Sequence, residues 1–345
     1  METSPPRPAY QLYVGVDIAA ATFTACWSSD ASPTPRPLTF EQTAAGFAAF
    51  QQHLQQTGIV SQATLIVMEA TGSYWITLAV TLHEAGYVVS VLNPAHVHDY
   101  VKSLPRRGKT DALDAAYLTQ FAAERRPDRW TPPPAVYHEL RQRLAARDAL
   151  LEMRKLAQNH RHALQQWPVV VESVLNQLDA SIADLTGRIT QLEDELSAIL
   201  QESAWAESAA LVMSISGIGM LTAAWLLVTT LNFTIAATPA SLAAYAGLAP
   251  LPYESGSSIR GRRQIGPGGQ RRLRTVLYLA TLSAAQHNPV IRPFYQRLCA
   301  AGKPKKVARC AAARKLLQLA WAVVKKGRPF DPAYQGARIL EQRAA

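Results

Sequence analysis

The chain has 345 residues, enough for two or three domains with real cores, and its 48% hydrophobic and 17% charged residues exclude a disordered protein. A formal charge of +10 calls for a polyanionic partner, nucleic acid ahead of an anionic membrane surface. Three cysteines without metal-like spacing, an opening METSPPRPAYQ unlike a signal peptide, and an apolar run (IGMLTAAWLLVTTL) too short to span a bilayer predict a cytoplasmic, nucleoid-associated protein without a membrane segment.

Along the chain, LYVGVDI is a valine-rich run that predicts a buried strand, with TFTACW as its hairpin partner and PLTF as a third strand. AAGFAAFQQHLQQ has helical periodicity. TLIVMEA reads as another buried strand ending on Glu69, YWITLAVTLHEAG as a helix closed by glycine, and YVVSVLN as a further strand. A last helix begins near Thr110. This order predicts a mixed sheet with helices on its faces over residues 11–128. The proline-rich RRPDRWTPPPA marks a break and a linker.

Residues 135–205 change texture. Tyr137 to Trp167 is helical and basic, with Arg141, Arg143, Arg147, Arg154, Lys155 and Arg161, until Pro168 interrupts it. Leu175, Leu178, Ile182, Leu185, Ile189, Leu192, Leu196 and Ile199 then form a heptad seam. The narrow stripe predicts a coiled coil between subunits, the alternative being a long helix packed within its own chain. Residues 207–330 read as a mostly α region and 331–345 as a tail. In SISGIGMLTAAWLL, the Gly217-Ile218-Gly219 turn suits either a phosphate-binding helix-hairpin-helix or a plain tight turn. His96, His98, His138, His160 and His162 show no ligand spacing.

Four acids carry the chemistry. Asp17 sits inside an apolar strand, where an unpaired carboxylate is expensive to bury, and Glu69 closes a second such strand. Asp111 and Asp114, three apart in RRGKTDALDAAYL, share a helix face. Clustered carboxylates are stabilised by a hard cation, Mg2+ or Mn2+, and paired ions suit phosphodiester chemistry. Arg106, Arg107 and Lys109 beside them suit phosphate, as do Arg141, Arg143, Arg147 and Arg154 on their helix. DALD also reads as a helix start, with Asp111 as N-cap and Asp114 at N3, and the arginine row also reads as a solvated face.

YVGVDIA, MEATGSY and RRGKTDALDAAYLT resemble the amino-terminal domain of the DEDD transposases, the insertion-sequence family numbered one-ten. The resemblance implies an RNase H-like, RuvC-like α/β domain with Asp17, Glu69, Asp111 and Asp114 at the four DEDD positions. A coiled-coil region and a mostly α transposase domain follow in the same order. LAAYAGLAPLPYESGSSIRGRRQIGPGGQRRLRTVLYLA resembles that domain's signature block, which implies Ser255 as nucleophile, with Ser257 and Ser258 chemically alike beside it. Arg260, Arg262, Arg263, Arg271, Arg272 and Arg274 would hold phosphates and transition-state charge. The block's small hydroxyl residue and lysine are here Gly266 and Pro267.

The function so implied is a metal-dependent DNA recombinase that moves its own element through a serine–DNA intermediate. Its partners would be donor and target DNA, a structured noncoding guide RNA (the bridge RNA) and further copies of itself, as dimer or tetramer. Three rivals remain: a junction endonuclease hydrolysing with water, an actin-like or sugar-kinase-type nucleotide binder, and a packaging protein that needs no acids.

Overall fold

Leu12–Ile18 (β1) is buried on both sides from Leu12 to Val16: Leu12, Val14 and Val16 face one core of a sheet, while Tyr13 and, by the two-residue period, Gly15 and Asp17 face the other. The computed structural model describes residues 9–29, 37–104, 110–250, 254–255, 259–260, 265–266 and 268–333. β1 pairs antiparallel with β2 (Thr22–Ser28), and β2 antiparallel with β3 (Leu38–Glu41). After α1 (Ala44–Gln55), β4 (Thr64–Glu69) returns parallel to β1, and after α2 (Trp75–Glu84), β5 (Val88–Leu92) lies parallel to β4. Each parallel neighbour needs a crossover, and the two helices supply them. The sheet order β3-β2-β1-β4-β5 is the RNase H-like arrangement that the motifs implied.

α1 and α2 cover one face through Phe47, Phe50, Leu54, Leu78 and Leu82, packed on Val14, Phe23, Ile66 and Met68. α3 (Pro94–Ser103) and α4 (Asp111–Arg125) cover the other through Val97, Leu118 and Ala122, against Tyr13, Leu65 and Val67. α3 is an addition to the expected order. It starts on an Asn93 side-chain cap to Ala95 N–H with Pro94 at its first position, a strong start signal in a stretch otherwise poor in apolar residues. The unit runs from 1 to 132, and its exit is anchored: Trp130 N–H donates to Val89 O at 2.8 Å, and the Trp130 ring packs edge-on against Trp75. Part of the expected linker therefore belongs to the first unit.

The second unit, 133–345, opens with α5 (Ala135–Leu164) and α6 (Glu172–Glu202). The pairs Arg143–Glu195, Arg147–Glu193 and Arg161–Asp179 recede in step along the two helices, which makes them an antiparallel hairpin. The heptad seam thus has a partner in its own chain. Packing within the chain is the alternative that the sequence left open: α5 ends at Leu164, and the short turn around Pro168 folds α6 back on it. At the hairpin base Val136, Leu140, Leu144, Leu196 and Leu200 enter one continuous core with the helices that follow.

Those helices are α7 (Ala206–Met213), α8 (Met220–Thr230), α9 (Pro239–Tyr245), α10 (Arg271–His287), α11 (Ile291–Ala300) and α12 (Lys305–Lys326). A two-residue strand pair, β6 (Glu254–Ser255) and β7 (Ile259–Arg260), lies between α9 and α10 in the chain. α8 is apolar all round because it is buried all round, Ala223 to Thr230 without exception. Its two buried threonines, Thr229 and Thr230, donate to Trp225 O (2.6 Å) and Leu226 O (2.7 Å). Gly217 has φ +103°, and a Cβ there would lie 2.6 Å from Ala284 Cβ, so contact with α10 already accounts for the glycine. Among the described residues no helix is long and apolar enough to cross a membrane.

Candidate active site

β1 and β4 are parallel neighbours whose register runs to Val16 opposite Met68. One step further stand Asp17 and Glu69, both on the face that α4 covers, since Gly15 and Val67 precede them by two. α4 brings Asp111 and Asp114 in its first turn.

The approach of α4 is set by Gly15. A Cβ at that position would lie 2.2 Å from Ala115 O and 2.3 Å from Thr119 N, so only glycine lets the helix backbone rest on the strand. Thr119 fastens the contact. Its hydroxyl accepts from Gly15 N–H at 3.0 Å and lies 3.0 Å from both Cys26 O and Ala115 O, which compete for its single proton. The helix is capped by Thr110, whose side chain accepts from Leu113 N–H at 3.2 Å. That corrects the reading of Asp111 as N-cap: both acids are inside the first turn, and the capping oxygen belongs to Thr110.

The carboxylates feel one another. Burial, then the charges of Asp114, Asp111 and Glu69, push the Asp17 carboxyl from its ordinary 3.8 up to about 6, against an opposing backbone hydrogen bond at Ile18. Glu69 is oriented locally, its Oε1 accepting from the Thr71 hydroxyl at 2.5 Å. The donor set is all hard oxygen, the chemistry of a magnesium or manganese site, although among the described residues no three such side chains are drawn together as one ion's ligand set. Gly15 and Thr119 are positioning residues that the sequence analysis missed. A lone glycine in a valine-rich strand was the available signal for the first; nothing marked the second.

The basic residues fare differently. Arg141 is exposed on α5, but Arg143 donates to Glu195 (2.8 Å) and Arg147 to Glu193 (2.6 Å) across the hairpin, and Arg154 reaches Thr186 Oγ1 at 3.3 Å. Arg272 contacts Asp148 and lies 4.3 Å over the Trp225 ring, while Arg274 donates to Gly268 O at 2.8 Å. Burial, then the charges of Arg141 and Arg147, lower the Arg272 guanidinium from its ordinary value. Arg271 is exposed at the start of α10. Ser255 falls on β6 and Arg260 on β7. Arg106, Arg107, Lys109, Ser257, Ser258, Arg262 and Arg263 lie outside the described residues.

Two family models match the sequence. One, described as a transposase and built on the DEDD domain, matches residues 14–167; the other, described as the transposase IS116/IS110/IS902 family, matches 209–296. The chain is 33% identical over 325 residues to the pilin gene-inverting protein of Moraxella bovis, covering 92% of this chain and 97% of that one. The pilin gene-inverting protein of Moraxella lacunata matches to the same extent, 33% over 325 residues. An uncharacterized protein of insertion element IS110 from Streptomyces coelicolor is 33% identical over 173 residues, 49% of this chain and 42% of its own length.

Proposed function

We propose a mechanism for a chain that belongs to the IS116/IS110/IS902 family of transposases, and is a DNA transposase or recombinase: four carboxylates and one serine cut and rejoin DNA strands. Membership sets aside the nucleotide-kinase and packaging readings. The observation that supports the mechanism is that burial, then the charges of Asp114, Asp111 and Glu69, raise the Asp17 carboxyl, so the three other acids lie near enough to Asp17 to be felt there.

Asp17, Glu69, Asp111 and Asp114 would hold Mg2+ or Mn2+. Bound there, such an ion supplies charge stabilisation to the attacking and leaving oxygens of a phosphodiester. Ser255 Oγ attacks the phosphorus, an Oγ–P bond forms, the P–O bond to the sugar breaks, and the serine proton ends on the departing sugar oxygen. A sugar hydroxyl of another strand reverses the exchange, so the bond energy is kept for rejoining. The Moraxella relatives are named for inverting a gene, a rearrangement that rejoins what it breaks, and this favours a covalent intermediate over hydrolysis by water. Target choice belongs to a structured noncoding guide RNA. The working form is a homo-oligomer, a reading supported by the apolar hairpin tip, where Trp167 is 65% and Val169 77% exposed.

A recombination assay on a substrate plasmid tests the mechanism. Asp17→Ala and Ser255→Ala should each abolish product while nucleic-acid binding stays within about two-fold, well under the ten-fold that 1.4 kcal/mol would bring. Denaturing gels of trapped reactions should show a covalent protein–DNA adduct mapping to Ser255. Hydrolysed ends without adduct would support the water-using endonuclease instead, and full activity of Ser255→Ala would move the nucleophile elsewhere.

A further inference from the structure

From Ser255 to Phe330 the chain carries seventeen Lys and Arg residues and no Asp or Glu. Like charges at that density repel, and a polyanion relieves them. Part of this charge surrounds a cavity of about 890 Å³ formed by α11, α12 and the segments that bracket Ser255 in sequence. Leu248, Pro250 and Ile265 give it apolar walls, joined by Val307 and Ala311 of α12. Lys303, Lys306, Arg314 and Lys315 line it as well. Lys315 is held in place by aromatic contact, its Nζ 4.8 Å from the Phe294 ring centre, and Arg297 lies 5.5 Å from the same ring. Burial, then the Arg297 charge, lowers the Lys315 ammonium below its ordinary value, so an anion there would be welcome.

Cations around apolar walls suit a nucleotide lifted out of its stack, with phosphate at the cations and base against the walls. A duplex keeps its bases paired and offers the same cations phosphate alone. We propose that this cavity takes one unpaired nucleotide of a DNA strand. The inference rests on the DNA-recombinase reading for its substrate class and is independent of which residue is the nucleophile.

Fluorescence anisotropy on the full chain, with a short single-stranded DNA, its duplex and the matching RNA, tests it. Cys310 lines the cavity, so Cys310→Trp fills the space and leaves every charge in place. Single-strand affinity should fall about ten-fold, the scale of one lost base contact, while duplex affinity holds within about two-fold. Lys306→Gln should lower the single-strand salt slope by about 0.7. Val307→Trp, at a position already 52% exposed, is the second filling variant should Cys310→Trp fail to fold. Equal losses on single strand and duplex, or no loss with either filling variant, would overturn the proposal, and a loss confined to RNA would give the cavity to RNA instead. Absence of any DNA binding by the unaltered chain would sink the recombinase reading itself, and the cavity assignment with it.

Discussion

At Gly15 the gap between strand and helix is smaller than a methyl group, and the site depends on it. Gly15→Ala would drive a Cβ into Ala115 O and Thr119 N, which are backbone atoms with nowhere to go. It should lose about 3 kcal/mol in urea denaturation and displace both helix acids, with activity falling accordingly. Thr119→Val keeps the shape and removes the hydroxyl that serves Gly15 N–H, so about 1–3 kcal/mol should be lost, and Thr119→Ser should restore most of it. The Asp17 carboxyl gives a pH signature in metal-free protein. Its folded value, about 6, lies above the unfolded one, so ionisation works against the fold: the penalty is absent below about pH 4, grows between 4 and 6, and is full above 6. Asp17→Asn in EDTA should therefore melt higher than the parent at pH 7.5, by on the order of 1 kcal/mol once its half-exposed position is discounted, and the gain should vanish toward pH 4. A gain that persists at pH 4 would mean the carboxyl is not the source.

Among the elements, the central strands β1 and β4 are legible in the sequence because they are short valine- and isoleucine-rich runs bounded by polar turns, LYVGVDI and TLIVMEA, whereas β3 turns only Phe40 to the core. α3 is not legible, since only Val97 and Tyr100 of its ten residues are buried, too few for an apolar period to show. The acids are legible as four separate oddities. The contact that aligns them, between Gly15 and Thr119, joins positions 104 apart and leaves no periodic trace. The seam of α6 announces that it has a partner without saying which, and α5 hides the answer because its facing positions include arginines rather than leucines alone. Those arginines make a prediction. Arg143 and Arg147 are neutralised by Glu195 and Glu193, so Arg143→Gln with Arg147→Gln should destabilise the second unit by about 1 kcal/mol and leave the salt slope of nucleic-acid binding unchanged. A slope reduced by about two would assign both to phosphate.

On the scale of the whole molecule, the first unit has its own sheet, two cores and a tied-off exit at Trp130, all that independent folding asks. A fragment of residues 9–132 should unfold cooperatively and gain stability on Mg2+ addition, a gain that Asp17→Asn removes. A fragment that is unfolded, or indifferent to the ion, would contradict this. The same unit contains a built-in clock. Cys26 is fully buried beneath α4, its Sγ facing Ala112 O at 3.8 Å, and burial pushes its thiol up to about 11. A thiol so placed reacts with an alkylating reagent only in the instants when the helix lifts from the strands. The pace of Cys26 labelling, followed by mass spectrometry, then times how often the aspartate pair leaves its post, and a cation that clamps the four acids should slow that clock in proportion to its occupancy.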